Sequence, residues 1–559
     1  MLLNSAVNLM ENNDSNLDWM IYWSLPKYNP RNSQIKLINE INFAIKKGFK
    51  NIILEAGTGI GKSAIATTLA NMYDDSYILT MTKQLQEQYL DDFGDMLVEI
   101  KGRGNYKCNY KGYCDFCIKS EYNLRKCTTC KFQMAFKKAQ EAKNVITNYD
   151  FLYYAGVANP IMDSRELLIL DEAHNLERKM LMLSSSELER EYISTKFGID
   201  IFEPIMHGTK SINELKRNPE YWTRLCDDLI KECKKRIKKI EGDANKTVQV
   251  TLDEFENDPS KYSNFDYVEK QNLEQDIKSF AAIALGLANK ELIIDLPSKD
   301  SILSNQMDIS AEFKPYSVAD DTQNLLALGN ICIFLTGTLG SKDKFCEWNN
   351  INPDETYYIY EKSPFDVANR PIYTDFAGRM SGRRRGKIPN WKNPRAIKKI
   401  RELLDRHSNE KGVIHTSSNE QAFWIMEQLK DYPLVFVGGG DRNIVLKDFT
   451  QSKENLVLIG ASIKDGVDFK GDLCRFQIVF KMPYPQLNEQ VKYRRDLDPK
   501  WFYYQTVMAL MQAYGRGIRD IDDWCVMYII DSSFKQLFEY NRGFFNEYFI
   551  EAVQKKKKK

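Results

Sequence analysis

Asn51-Ile52-Ile53-Leu54-Glu55-Ala56-Gly57-Thr58-Gly59-Ile60-Gly61-Lys62-Ser63 decides the fold. A short apolar run reads as a buried strand, three glycines in five residues as a tight turn, and Lys62-Ser63 as the start of a helix. Glycines here let backbone N–H groups close around phosphates at a helix N-terminus, where the helix dipole also favours negative charge. Ala56, Gly57, Thr58, Gly59, Ile60 and Gly61 are the expected cradle. Lys62 would reach the β- and γ-phosphates, and the Ser63 hydroxyl would hold magnesium. Ala56 stands where the general pattern has its first glycine.

Working outward, Leu167-Leu168-Ile169-Leu170 runs into Asp171-Glu172-Ala173-His174. A carboxylate at the C-terminal end of a parallel strand lies beside such a loop, so Asp171 is the expected second magnesium group. Glu172 would orient and deprotonate the attacking water. Phosphoryl transfer also needs positive charge near the γ-phosphate, often from a second domain. Gln512-Ala513-Tyr514-Gly515-Arg516-Gly517-Ile518-Arg519 is the candidate source. Placed on one helix, Gln512, Arg516 and Arg519 would share a face, with Gln512 sensing the γ-phosphate and either arginine acting as a finger. ATP and magnesium are the implied cofactors.

Similar apolar runs recur in two sets. The first comprises 51–54, 77–79, 167–170 and 331–334; the second 412–414, 434–437, 456–459, 478–480 and 526–530. Short, β-branched and alternating with helical patterns, they read as buried parallel strands of two α/β domains. The stretch from about 180 to 310 lacks such runs and reads as a mainly helical insertion. At 559 residues the chain is too long for one core. No stretch of about 18 apolar residues marks a membrane span, and residues 1–18 carry no apolar segment of a signal peptide. A cytoplasmic location is expected, nucleoid-associated in a prokaryotic or viral setting.

The charge balance, 78 basic against 77 acidic residues, excludes nothing. Its distribution says more: residues 101–143 carry a net +8, a second basic group spans Arg379 to Lys387, and the chain ends in Lys555–Lys559. Eleven cysteines include five between Cys108 and Cys130: Cys108, Cys114, Cys117, Cys127 and Cys130. Clustering without a secretory signal favours metal over disulfides. Four thiolates suit a [4Fe–4S] cluster, and two Cys-x-x-Cys pairs also suit tetrahedral zinc.

Taken together, these motifs resemble the XPD/DinG family of superfamily 2 iron–sulfur DNA helicases. Further matching stretches are Arg31-Asn32-Ser33-Gln34, Thr80 to Gln88, Val145 to Tyr149, Leu335-Thr336-Gly337-Thr338-Leu339, Ser363-Pro364-Phe365, Asp465 to Gly471 and Met482 to Pro485. Gly102 to Cys108 resembles the entry to the family's cluster domain and Cys130-Lys131-Phe132 its exit. The resemblance implies two RecA-like parallel-sheet motor domains, an inserted iron–sulfur domain and a helical arch. The expected bounds are 1–105, 141–180 and 311–348 for the first motor, 106–140 for the cluster domain, 181–310 for the arch and 349–559 for the second motor.

It further implies that four of the five cysteines bind [4Fe–4S], with Cys114 and Cys117 joining Cys108 and Cys130, and Cys127 competing for a place. Arg31 and Gln34 resemble the adenine-side motif, Asp468 a group near the nucleotide, and Thr336 and Thr338 the link from hydrolysis to domain movement. The implied activity is ATP-driven 5′→3′ movement of a monomeric motor on single-stranded DNA, opening tailed or forked duplexes in repair or replication. An RNA-remodelling ATPase remains a rival, because Asp-Glu-Ala-His also marks RNA motors. A DNA-binding ATPase or nuclease component that does not unwind is the other.

Overall fold

The computed structural model describes residues 18–25, 27–57, 59–107, 130–243, 265–384, 388–438, 441–461, 463, 469, 471–518 and 522–554. Thr58, Asp468, Arg519, Cys108, Cys114, Cys117 and Cys127 lie outside them.

Each set of apolar runs forms a parallel sheet. In the first, seven strands stand in the order Thr356–Glu361, Asn51–Ala56, Gly329–Thr336, Arg165–Leu170, Ser76–Thr80, Asn144–Asn148, Val98–Glu99. Both faces are covered, which is why its strands read as continuous apolar runs. Along them successive side chains alternate between two cores. Ile53, Tyr77, Leu79, Leu168, Leu170 and Phe334 enter one. Ile52, Leu54, Ile78, Leu167, Ile169, Ile333 and Leu335 enter the other. The Asn32–Lys46 helix covers the second face with Leu37, Ile38, Ile41 and Ala44, the three- and four-residue spacing of one helical stripe.

The second sheet has six parallel strands in the order Ile372–Gly378, Val526–Asp531, Phe476–Val479, Gly412–His415, Val457–Gly460, Leu434–Phe436. Ile414, Ile459, Ile478 and Ile530 pack on one face, and Val479, Met527 and Ile529 on the other. The architecture is therefore the expected pair of RecA-like lobes.

Two expectations need correction. The strand Thr356–Glu361 pairs in parallel with Asn51–Ala56, so the first lobe runs past the expected 348/349 boundary. Tyr357 and Tyr360 made this run look polar, although Ile359 faces the core. The insertion is mainly helical as expected, but its strand Ser310–Pro315 runs past the expected 310/311 boundary. Its long helices Pro219–Asp243 and Phe265–Ala288 pack on a three-stranded antiparallel sheet of Ser186–Glu189, Leu292–Asp295 and Ser310–Pro315. These strands are short and half exposed; two carry several charged residues, and the third offers only the three apolar residues Leu292, Ile293 and Ile294.

Candidate nucleotide site between two lobes

The site grows from the C-terminal ends of the first sheet. Asn51–Ala56 leads into the glycine turn, and the helix Lys62–Met72 follows. Gly59 and Gly61 hold φ of +86° and +84°, a region where a Cβ is costly. A Cβ on Gly61 would also stand 2.5 Å from Gln34 Nε2. No side chain caps the Lys62–Met72 helix. Its first amides are available to an anion.

Around the turn, Arg31 Nη1 donates to the Gly59 carbonyl at 2.5 Å, and Gln34 Nε2 to the Ile60 carbonyl at 3.0 Å. The two residues thus meet the phosphate loop, where they brace its backbone. Lys62 Nζ donates to the carbonyls of Ala56 (3.0 Å) and Gly57 (3.4 Å). On the other side Gly57 and Gly59 lie against Ser363 and Phe365, so closely that a Cβ on either glycine would meet them at 2.5 and 2.7 Å. The turn is thereby packed between lobes.

Asp171 ends its strand only 5% exposed. Its Oδ2 accepts from the Tyr89 hydroxyl at 2.9 Å, and Oδ1 from the Glu172 amide at 2.9 Å. Ser63 also acts on the Tyr89 phenol, holding down a pKa that burial raises, so both residues expected to hold magnesium stand by this side chain. Burial first, then the neighbouring Glu172 carboxylate, pushes the Asp171 carboxyl up to about 6, while Lys62 pulls it down. Glu172 adopts a left-handed backbone, φ +52°, which is costly for a non-glycine residue and projects it out of the strand line.

His174 is buried, and burial brings its pKa down to about 4, so its ring is neutral at ordinary pH. It bonds Thr336 Oγ1 through Nδ1 at 2.9 Å and Asn175 through Nε2 at 2.7 Å. Thr336 in turn donates to the Thr338 carbonyl at 2.8 Å. The acidic motif and the threonine motif are thus one hydrogen-bonded unit.

From the second lobe comes the helix Pro499–Tyr514, started by Asp498, whose carboxylate caps Lys500, and by proline at the first turn. Gln512 lies in its last turn. Arg516 does not lie on it, contrary to expectation: the helix ends at Tyr514 and is followed by Gly515. The chain then turns so that Gly517 presses on Cys525 and Gln477, where a Cβ would clash, and Ile518 enters the core. Arg516 is thereby released from the helical face. Its positive charge acts on His174 across the cleft. Arg519 and Asp468 fall outside the described residues.

Sequence reasoning passed over Tyr89 and Glu177. Tyr89 had a signal, since it shares one buried helical stripe with Gln86 and Phe93 and is a polar aromatic on that stripe. Glu177 had none, because its partners come from more than 300 residues away.

Of the cysteine cluster only Cys130 is described. Its sulfur caps the helix Lys131–Glu141 by accepting from the Gln133 amide at 3.5 Å. Phe132 and Ala139 of that helix anchor it in the first lobe's core. Cys130 is thereby fixed beside the first lobe, and the other four cysteines of the cluster lie outside the described residues.

Two family models match, in the order of the two sheets. The type III restriction enzyme res subunit covers residues 27–201, and the helicase C-terminal domain covers residues 395–548. Among curated proteins, the ATP-dependent DNA helicase YoaA of Escherichia coli is 22% identical over 39% of this chain and 36% of its own. The ATP-dependent DNA helicase CHL1 of Candida glabrata is 25% identical over 20% of this chain and 16% of its own. The matched region therefore spans well under two thirds of either relative. In fold, an XPD helicase structure superposes with a TM-score of 0.57 at 15% identity, over 92% of this chain and 98% of that one. The Xpd4 structure from S. tokodaii gives 0.52 at 14%, over 91% and 97%. The two family models thus match in the order of the two sheets, and the fold is similar to that of XPD helicase structures.

Proposed function

We propose that the protein is an ATP-dependent DNA helicase that moves 5′→3′ along one strand. One observation carries this reading: the glycine turn of one lobe packs against Ser363 and Phe365, and the Arg516 charge of the other lobe acts on His174 of the acidic motif.

In the working cycle, the amides of residues 57–63 and Lys62 bind the triphosphate. Ser63 and Asp171 would hold magnesium, which neutralises phosphate charge when bound. Glu172 takes the proton of the attacking water, and Arg516 stabilises charge developing on the γ-phosphate. Gln512, in the last turn of the Pro499–Tyr514 helix, reads the phosphate, and Arg31 and Gln34 keep the turn in its binding shape. Loss of the phosphate removes what the lobes share, so they separate. His174–Thr336 carries that change into the threonine motif.

DNA is the substrate that the second lobe's surface suits. A groove of about 1430 Å³ there is lined by Arg379, Lys481 and Arg495 together with Trp391, Tyr484 and Phe502. The Tyr484 and Phe502 rings stack at 5.6 Å and 10°. Cations for phosphates and flat rings for bases are what a single strand needs. Four of Cys108, Cys114, Cys117, Cys127 and Cys130 would hold a [4Fe–4S] cluster that braces the basic 101–143 segment beside the strand.

The test compares 5′-tailed and 3′-tailed duplexes, with DNA and RNA oligonucleotides as ATPase activators. Unwinding of the 5′-tailed DNA alone is expected. RNA preference, or ATP turnover without strand separation, would replace this reading with an RNA-remodelling or non-unwinding ATPase.

A further inference from the structure

Glu177 stands six residues beyond Asp171, in the first turn of the Leu176–Leu183 helix that follows the acidic motif. It touches neither the glycine turn nor Arg516 through any described bond, yet it is only 5% exposed. A buried carboxylate persists only when paired and hydrogen-bonded. Its partners all come from the other lobe. Arg494 Nη2 donates to Oε1, Trp501 Nε1 to Oε1 and Oε2 at 3.2 and 3.0 Å, and Gln505 Nε2 to Oε2 at 3.0 Å. The Arg494 guanidinium also lies 4.1 Å from the Trp501 ring centre.

Trp501 and Gln505 belong to the Pro499–Tyr514 helix, whose last turn carries Gln512 and leads to Arg516. The same helix is tied a second time to the first lobe, where Tyr504 donates to the Leu339 carbonyl at 2.7 Å beside the threonine motif. Two grips fix a rod in orientation where one would leave it free to swing. Separation of the lobes must break both, leaving Glu177 and Arg494 to water.

Resting on the helicase reading above, we propose that Glu177 is a positioning residue for ATP hydrolysis. Through Arg494, Trp501 and Gln505 it sets where the Pro499–Tyr514 helix lies, and so where Gln512 and Arg516 meet the γ-phosphate. It contributes to the closed geometry, whereas the initial grip on the triphosphate rests on the glycine turn and Lys62 of the first lobe.

The experiment uses the full chain with Glu177→Gln, Arg494→Met and the double variant. It measures ssDNA-stimulated ATP turnover against ATP concentration, and direct binding of a fluorescent ATP analogue without DNA. Glu177→Gln puts an amide donor among three donors. A loss of about tenfold to a hundredfold in kcat is expected, the scale of small misplacements of catalytic groups, with KM and analogue affinity within about threefold. Arg494→Met alone strands a buried carboxylate, and adding Glu177→Gln should recover part of that loss rather than deepen it. A Glu177→Gln kcat within twofold of wild type, or a loss appearing wholly in KM, overturns the proposal while leaving the helicase reading intact. Wild-type protein that turns over no ATP with ssDNA overturns both.

Discussion

The two lobes share one architecture and differ at one corresponding place. In the first, the strand Asn51–Ala56 ends in a glycine turn, and the helix after it begins at Gly61 with no side-chain cap. In the second, the central strand Gly412–His415 ends in Thr416-Ser417-Ser418, and the Ser418 hydroxyl caps the next helix by accepting from the Gln421 amide. One helix start keeps its amides for a ligand; the other satisfies them internally. A parallel sheet alone does not make a phosphate site. Residues that permit positive φ and withhold a cap do.

Several substitutions would break or sharpen that contrast. Lys62→Ala carries the largest expected effect: ssDNA-stimulated ATP turnover should fall about 100- to 1000-fold, the scale of losing one preorganised charge at a transition state. Retained turnover would place the nucleotide elsewhere.

Asp171→Asn should separate function from stability. With its carboxyl raised to about 6, the folded state holds a proton that the unfolded chain releases near 4. Stability from this group is therefore lost as pH rises from about 4 through 6. The variant should abolish turnover yet stabilise the nucleotide-free protein by ~2 kcal/mol at pH 7.5. At pH 4 the gain should vanish, and thermal melting at both pH values checks this. His174 acts in the opposite sense: lowered to about 4, it withdraws stability as pH falls below 6.5.

Gly61→Ala should cost about 1–2 kcal/mol through its left-handed backbone. It should also weaken ATP binding, because the new Cβ displaces Gln34 from the turn. Ser418→Ala, the matched change in the other lobe, should cost about 1 kcal/mol in stability and leave ATP affinity untouched. Equal effects on ATP binding from the two would erase the distinction between the lobes.

The nucleotide corner was legible because its determinants are contiguous. A strand, a glycine turn and a lysine make one local signal, and Leu167 to Asp171 makes another. Arg31 and Gln34 came only through resemblance, and the structure brings them onto the turn. Arg516 was read onto the helix but lies beyond its end, since helical spacing does not reveal that Gly517 must press on Cys525.

What the residues determined alone is local chemistry: apolar runs that must be buried, glycines that permit positive φ, and the carboxylate at a strand end. What only tertiary structure decided is pairing across distance. Thr356–Glu361 joined the first sheet, Tyr89 found Asp171, and Glu177 met Arg494, Trp501 and Gln505. The reason is physical. Backbone preference is encoded within a few residues, whereas desolvation of a charge depends on whatever side chains the completed fold brings around it.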